Sequence, residues 1–182
     1  MRLFVALDLP PSLRQRLALL TGGVPGARWV PPENQHLTLR FIGETPAWQA
    51  DEIDHALGAL RTPGFPLTVA GIGLFAKGGR GTALWAGVER TQALEHLHAK
   101  VETALQRIGL EPERRRFAPH VTLARVDAVP EPRLAAYLQA YSLFRAEPVT
   151  IGHFTLFSSR LGKERAIYES EAEYELPLAT RR

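Results

Sequence analysis

The tetrapeptide His-Leu-Thr-Leu at 36–39 returns as His-Val-Thr-Leu at 120–123, 84 residues later in a chain of 182. Each copy opens an apolar run, His36-Leu37-Thr38-Leu39-Arg40-Phe41-Ile42 and His120-Val121-Thr122-Leu123-Ala124-Arg125-Val126, of the kind that forms a strand. Side chains alternate along a strand, so each His shares a face with the Thr two residues later. Leu37 and Val121 point to the opposite face, toward a core. A spacing near half the chain length predicts two similar lobes that set the two histidines opposite each other across a cleft. A lone His-x-Thr on a strand is commonly a polar edge position, but two matching copies in apolar surroundings need another explanation. Two imidazoles facing one substrate can act as a general acid and a general base without metal.

The chain is long enough for one domain or two intimately packed lobes, and its 45% hydrophobic content suffices for a core. It contains no cysteine, which removes disulfides, thiolate chemistry and cysteine metal sites. The first residues, Met1-Arg2-Leu3-Phe4-Val5-Ala6-Leu7-Asp8, enter a strand too soon for a secretory signal, and no apolar stretch approaches a membrane span. The cytoplasm is the expected compartment, with no membrane partner. The formal charge is only +3, yet the cations are 19 arginines against three lysines. Most of that bias fits a GC-rich genome or a hot habitat. The modest net charge argues against a high-affinity nucleic-acid wrapper and permits a phosphate-bearing substrate or an RNA end.

Along the chain, a strand is predicted over 1–9 and a helix from Pro10-Pro11-Ser12, with Leu13, Leu17 and Leu20 at helical spacing. The first motif strand runs over about 35–42. A helix over 47–60 follows, then strands over 67–75 and 83–88 joined by Lys77-Gly78-Gly79-Arg80-Gly81 as a hairpin. A helix over 92–108 buries Leu94, Leu97, Val101, Ala104 and Leu105. The second motif strand, a helix over 131–141 and strands over 149–157 and 166–174 complete the chain. Mixed elements with short connections predict an α+β fold with antiparallel sheets, and residues 1–182 read as a single two-lobed domain with one motif per lobe.

The segments His-Leu-Thr-Leu-Arg-Phe-Ile-Gly (36–43) and Pro-His-Val-Thr-Leu-Ala-Arg-Val (119–126) resemble the signature of the two-histidine phosphoesterase superfamily. More narrowly, the chain is similar to the RNA 2′,3′-cyclic phosphodiesterases, also called 2′-5′ RNA ligases. Segments 2–10, 83–88 and 153–159 fit the same layout, so the likeness covers essentially the whole chain. The resemblance implies a bilobal α+β fold with a pseudo-twofold, helices packed outside and a central cleft. It implies no cofactor and no metal, and hydrolysis of RNA 2′,3′-cyclic phosphate to a 2′-phosphomonoester, with reversible 2′-5′ ligation as a second reaction. RNA ends with a cyclic phosphate, tRNA fragments among them, are the implied partners. His36 is the implied proton donor and His120 the acceptor, although the motifs themselves leave these roles interchangeable. Thr38 and Thr122 would hydrogen-bond the non-bridging phosphate oxygens. Arg125 would bind phosphate, but five residues from His120 it faces away in a regular strand and needs a bulge or twist near Ala124. Arg40, four residues from His36, has the parity for the cleft.

Lesser signals are weaker. The glycines at 78, 79 and 81 suit a hairpin turn better than a phosphate cradle. Arg114-Arg115-Arg116 could steer RNA or form a solvated loop. His96 and His98 diverge on a helix, which disfavours a paired metal site; His55 and His153 have no partner by spacing. Phe4, Phe117 and Phe157 could stack on a base, though aromatics on apolar strands are usually core. Alternatives are a phosphodiesterase acting on small nucleotide cyclic phosphates, such as ADP-ribose cyclic phosphate, or on other 2′-5′ linkages, and a non-catalytic RNA-end binder. A metal-dependent hydrolase would need carboxylates among the histidines, and Glu33 and Glu44 merely flank the first motif. Both motifs lie in one chain, so a monomer is expected.

Overall fold

The computed structural model describes residues 1–178. Alternating apolar residues place Leu3, Val5 and Leu7 of β1 (Arg2–Asp8) on one buried face, and that strand lies at the heart of the main sheet. On one side it pairs antiparallel with β3 (His36–Glu44), on the other with β9 (His153–Leu161), which in turn pairs with β10 (Ala166–Glu175). A second antiparallel group consists of β5 (Val69–Lys77), β6 (Arg80–Val88) and β7 (His120–Arg125). The two groups meet along β3 and β7, so the order across the sheet is β10-β9-β1-β3-β7-β6-β5. A single pair, Leu37 with Val121, joins β3 to β7. Beyond it the strands splay, and β2 (Arg28–Trp29) takes over the edge of β7 at Ala124 and Arg125. The halves expected as two lobes are therefore fused edge to edge into one sheet.

Helices α2 (Ala47–Gly58) and α3 (Gln92–Arg107) pack on each other, with α3 also against β3. α1 (Pro11–Ala18) opens with proline at its first position, where no backbone donor is needed. α4 (Glu131–Ala140) packs against β6. The Thr91 hydroxyl caps α3 by accepting from the Leu94 amide at 3.2 Å. Leu94, Leu97, Val101 and Leu105 of α3 are fully buried with Leu3, Val5, Leu7 and Leu37. Such side chains contribute roughly 1.5–3 kcal/mol each through removal from water. Among the described residues no helix is long and apolar enough to cross a membrane.

Two predicted strands prove to be two each. The run at 67–75 begins as β4 (Phe65–Leu67), and the run at 149–157 begins as β8 (Val149–Ile151); these two pair in a separate small sheet. The backbone switches sheets at Thr68 and Gly152 without interrupting the apolar pattern, so hydropathy alone does not show the break. The 77–81 segment is the predicted hairpin. Gly78 and Gly79, at φ +60° and +76°, form the two-residue turn that closes the Lys77–Arg80 pair, a geometry open to glycine at little cost.

Arg40 corrects a simple parity argument. Between Thr38, opposite Ala6, and Arg40, opposite Val5, β3 carries an extra residue. This bulge reverses the alternation and sends Arg40 under α3 instead of into the cleft. There its guanidinium, 7% exposed, donates to both carboxylate oxygens of Glu102 at 2.6 and 2.7 Å and to the Glu111 carbonyl. Removing one partner of a buried pair strands the other charge. Glu102→Gln should therefore lower unfolding stability by about 3 kcal/mol, read by denaturant titration.

Candidate active site

The Leu37–Val121 pair fixes what faces what. Continued by one residue each way, that antiparallel register sets His36 level with Thr122 and Thr38 level with His120. All four lie on the face opposite the buried Leu37 and Val121, as the alternation of half-buried and buried residues in both strands requires. In a regular antiparallel pair, diagonal partners such as the two histidines stand roughly 7–8 Å apart. A tetrahedral phosphate group fits between imidazoles at such a separation.

Both rings are oriented in the same way. His36 Nδ1 lies 2.7 Å from the Asn34 carbonyl oxygen, and His120 Nδ1 lies 2.6 Å from the Ala118 carbonyl oxygen. A carbonyl only accepts, so Nδ1–H donates in each case and Nε2 is left as the nitrogen that exchanges a proton. His36 Nε2 sits 3.0 Å from the Thr38 hydroxyl, which donates to the neutral ring. Each carbonyl belongs to the residue two positions before the motif histidine, an arrangement invisible in side-chain patterns. Before His36, the chain makes a short 3₁₀ turn, Pro32–Asn34. Arg14 of α1 ties that turn down by donating to the Pro32 carbonyl, to the Asp8 carboxylate and, at 2.9 Å, to the Leu9 carbonyl.

An aromatic wall stands behind each histidine. The His36 ring packs on Phe4, with centroids 4.9 Å apart, and meets Tyr168 edge-on at 5.4 Å; Phe4 stacks in turn on Phe157 at 5.2 Å. On the other side His120 meets Phe75 edge-on at 4.8 Å, with Trp85 at 6.3 Å. The Trp85 indole lies across Gly73, where a Cβ would come within 2.0 Å of the ring. Phe75, Trp85, Arg90 and His120 line a cavity of about 240 Å³. Burial lowers the pKa of His36 by disfavouring imidazolium. The bond to Asn34 opposes that effect, the charges of Arg14 and His120 add to it, and Asp8 opposes it weakly.

Arg125 regains the cleft face through a bulge. Thr122 pairs with Trp85 but Ala124 with Leu84, so one residue is extra at Leu123. Ala124 is consequently buried and Arg125 exposed, on the face of His120 and Thr122. The bulges in β3 and β7 fall at the same distance from their histidines, which makes Phe41 the counterpart of Arg125. Phe41, 60% exposed, packs its ring 6.0 Å from Phe4 and was not singled out by sequence. Tyr168, Phe75 and Trp85 were likewise missed, because nothing local distinguishes them from core aromatics. Phe117 lies elsewhere, stacked on His98 with centroids 3.9 Å apart. His55 is exposed on α2 and His153 half-buried on β9. Among the described residues no group of three or more His, Asp or Glu side chains converges as metal ligands would.

The burial of His36 is directly measurable. Its NMR titration should fall below the ordinary imidazole value near 6.5. Tyr168→Ala, which readmits water to one side of the ring, should move the midpoint upward; an unchanged midpoint would contradict the burial explanation.

Comparison with known proteins agrees with this geometry. The family model described as LigT like Phosphoesterase matches residues 7–85 and 87–168, spans that hold one motif each. The RNA 2′,3′-cyclic phosphodiesterase of Archaeoglobus fulgidus is 30% identical over 178 residues, 96% of this chain and all of the relative. The crystal structure of TT0787 of Thermus thermophilus superposes with a TM-score of 0.82 at 25% identity, covering 99% of this chain and 100% of that one. E. coli LigT complexed with 3′-AMP gives 0.78 at 28% identity, covering 96% and 97%. The duplicated motif, the sheet that unites it and these likenesses agree: the chain belongs to the LigT-like phosphoesterase family.

Proposed function

We propose that this chain hydrolyses the 2′,3′-cyclic phosphate at an RNA end to a 2′-phosphomonoester, with His36 and His120 as its acid–base pair. The observation that carries the reading is the pair of His-x-Thr motifs set on one face across the β3–β7 seam, each ring held through Nδ1 so that Nε2 is the nitrogen left to exchange a proton. The name of the Archaeoglobus relative and the 3′-AMP complex of E. coli LigT support a nucleotide phosphate as substrate.

In this reading His120 Nε2 takes a proton from water as its oxygen attacks phosphorus. His36 Nε2 gives its proton to the departing 3′ oxygen, and the P–O3′ bond breaks, leaving phosphate on the 2′ oxygen. Burial holds the empty-cleft His36 toward its neutral form; a phosphodiester anion between the rings favours imidazolium and restores the proton that the step consumes. Thr38 and Thr122 hydroxyls donate to the non-bridging oxygens as charge accumulates there, and Arg125 supplies the cation. The same proton transfers with a 5′-hydroxyl in place of water give 2′-5′ ligation, and their reversal cleaves that linkage back to the cyclic phosphate. We read residues 1–182 as one two-lobed domain in which each lobe contributes one motif, so a monomer suffices, in keeping with a cytoplasmic RNA-processing enzyme.

The test is an oligoribonucleotide ending in 2′,3′-cyclic phosphate, incubated in excess EDTA, with the product terminus identified. Turnover to a 2′-phosphate is expected, with losses of roughly 10²–10⁴-fold in His36→Ala and in His120→Ala. Arg125→Ala should chiefly raise KM. A 3′-phosphate product, or turnover abolished by the chelator, would overturn the mechanism.

A further inference from the structure

The wall behind His36 continues away from the motif into a second cavity of about 730 Å³, larger than the one beside His120. Phe4 and Tyr168 belong to both, Phe41 forms one flank, and Arg2, Arg115 and Arg160 stand around the far end. Arg2 shares a strand face with Phe4, one two-residue step or about 7 Å further along β1. Tyr168 and Arg2 both lie opposite Ser159, in a single row across the sheet. Arg115 reaches the groove on the loop that follows α3, and the buried Arg40 anchors that loop through the Glu111 carbonyl.

The charges there are available. Among the described residues Arg2 has no ion-pair partner. Arg160 lies 3.5 Å from Glu169 and Arg115 4.0 Å from Glu113, both pairs at the surface, where such contacts contribute little and exchange readily. The one carboxylate on the rim, Glu44, is met by the N-terminal ammonium at 3.5 Å. A groove with an aromatic flank and guanidinium groups at its end suits a nucleoside followed by a phosphodiester. An RNA that ends in a 2′,3′-cyclic phosphate can extend only toward its 5′ side.

We propose that this groove binds the nucleotide 5′ to the reacting terminus, with Phe41 against the sugar or base and Arg2, Arg115 and Arg160 around the connecting phosphate. The proposal rests on the cyclic-phosphodiesterase reading and makes the enzyme selective for RNA ends over free cyclic mononucleotides.

The experiment compares adenosine 2′,3′-cyclic phosphate with the dinucleotide ApA ending in the same group. It uses the wild-type chain and an Arg2→Ser/Arg115→Ser/Arg160→Ser variant, whose changes are all at exposed positions. The wild type should favour the dinucleotide by about tenfold or more in kcat/KM, the order of one stacked base with its phosphate. The variant should lose that preference while turning over the mononucleotide within twofold of wild type. The salt dependence of the dinucleotide KM should flatten in the variant, because fewer phosphate contacts release fewer counterions. Equal rates on both substrates in the wild type, or a preference that survives the triple substitution, would overturn the groove assignment. If neither substrate turns over, the phosphodiesterase reading fails. Calorimetric binding of the 2′-phosphate forms of the same two nucleotides then tests the groove alone, with the variant expected to bind them equally and the wild type not.

Discussion

One pair of residues organises the molecule. Leu37 and Val121 are the sole ladder contact between β3 and β7, and both are fully buried. Their pairing sets the register in which His36 stands beside Thr122 and Thr38 beside His120. A slip of one residue would turn every motif side chain of one strand to the other face. Apolar burial on one side of the sheet thus specifies the chemistry on the other. Splaying of the strands beyond the pair leaves room for a substrate, and β2 satisfies the edge of β7 that β3 abandons.

Much of this was legible in the amino-acid sequence because it obeys period two. The repeated His-x-Thr, the flanking apolar residues and the helical stripe of α3 all follow from spacing. What escaped is where the period fails or changes sheets. The bulge after Thr38 turned Arg40, apparently a cleft residue, into a buried partner of Glu102. The matching bulge after Thr122 brought Arg125 to the side from which alternation excluded it. A bulge is an extra residue relative to a neighbouring strand, and one strand read alone cannot reveal it. Strand switches at Thr68 and Gly152 escaped for the same reason, since they are defined by partners distant in sequence.

The histidines are held by backbone, not by carboxylates. Asn34 and Ala118 carbonyls fix Nδ1 as the donor nitrogen in both rings, so tautomer and direction are set before any substrate arrives. Their walls differ in composition and in burial. His36 sits against Phe4 and Tyr168 in a site dry enough to disfavour its charge, whereas His120 faces Phe75 and Trp85 across a small open cavity. Near-identical motifs are thereby given different surroundings, through neighbours that come from other strands.

The paired bulges carry one more consequence. Two equivalent rings about a twofold axis cannot tell the two ends of a phosphodiester apart, because exchanging the ends exchanges only equivalent groups. The residue five places after each histidine breaks the equivalence: a cation, Arg125, in one half and an aromatic ring, Phe41, in the other. The duplicated scaffold thus acquires handedness toward its ligand, and a polymer with a chemical direction can lie in it one way round.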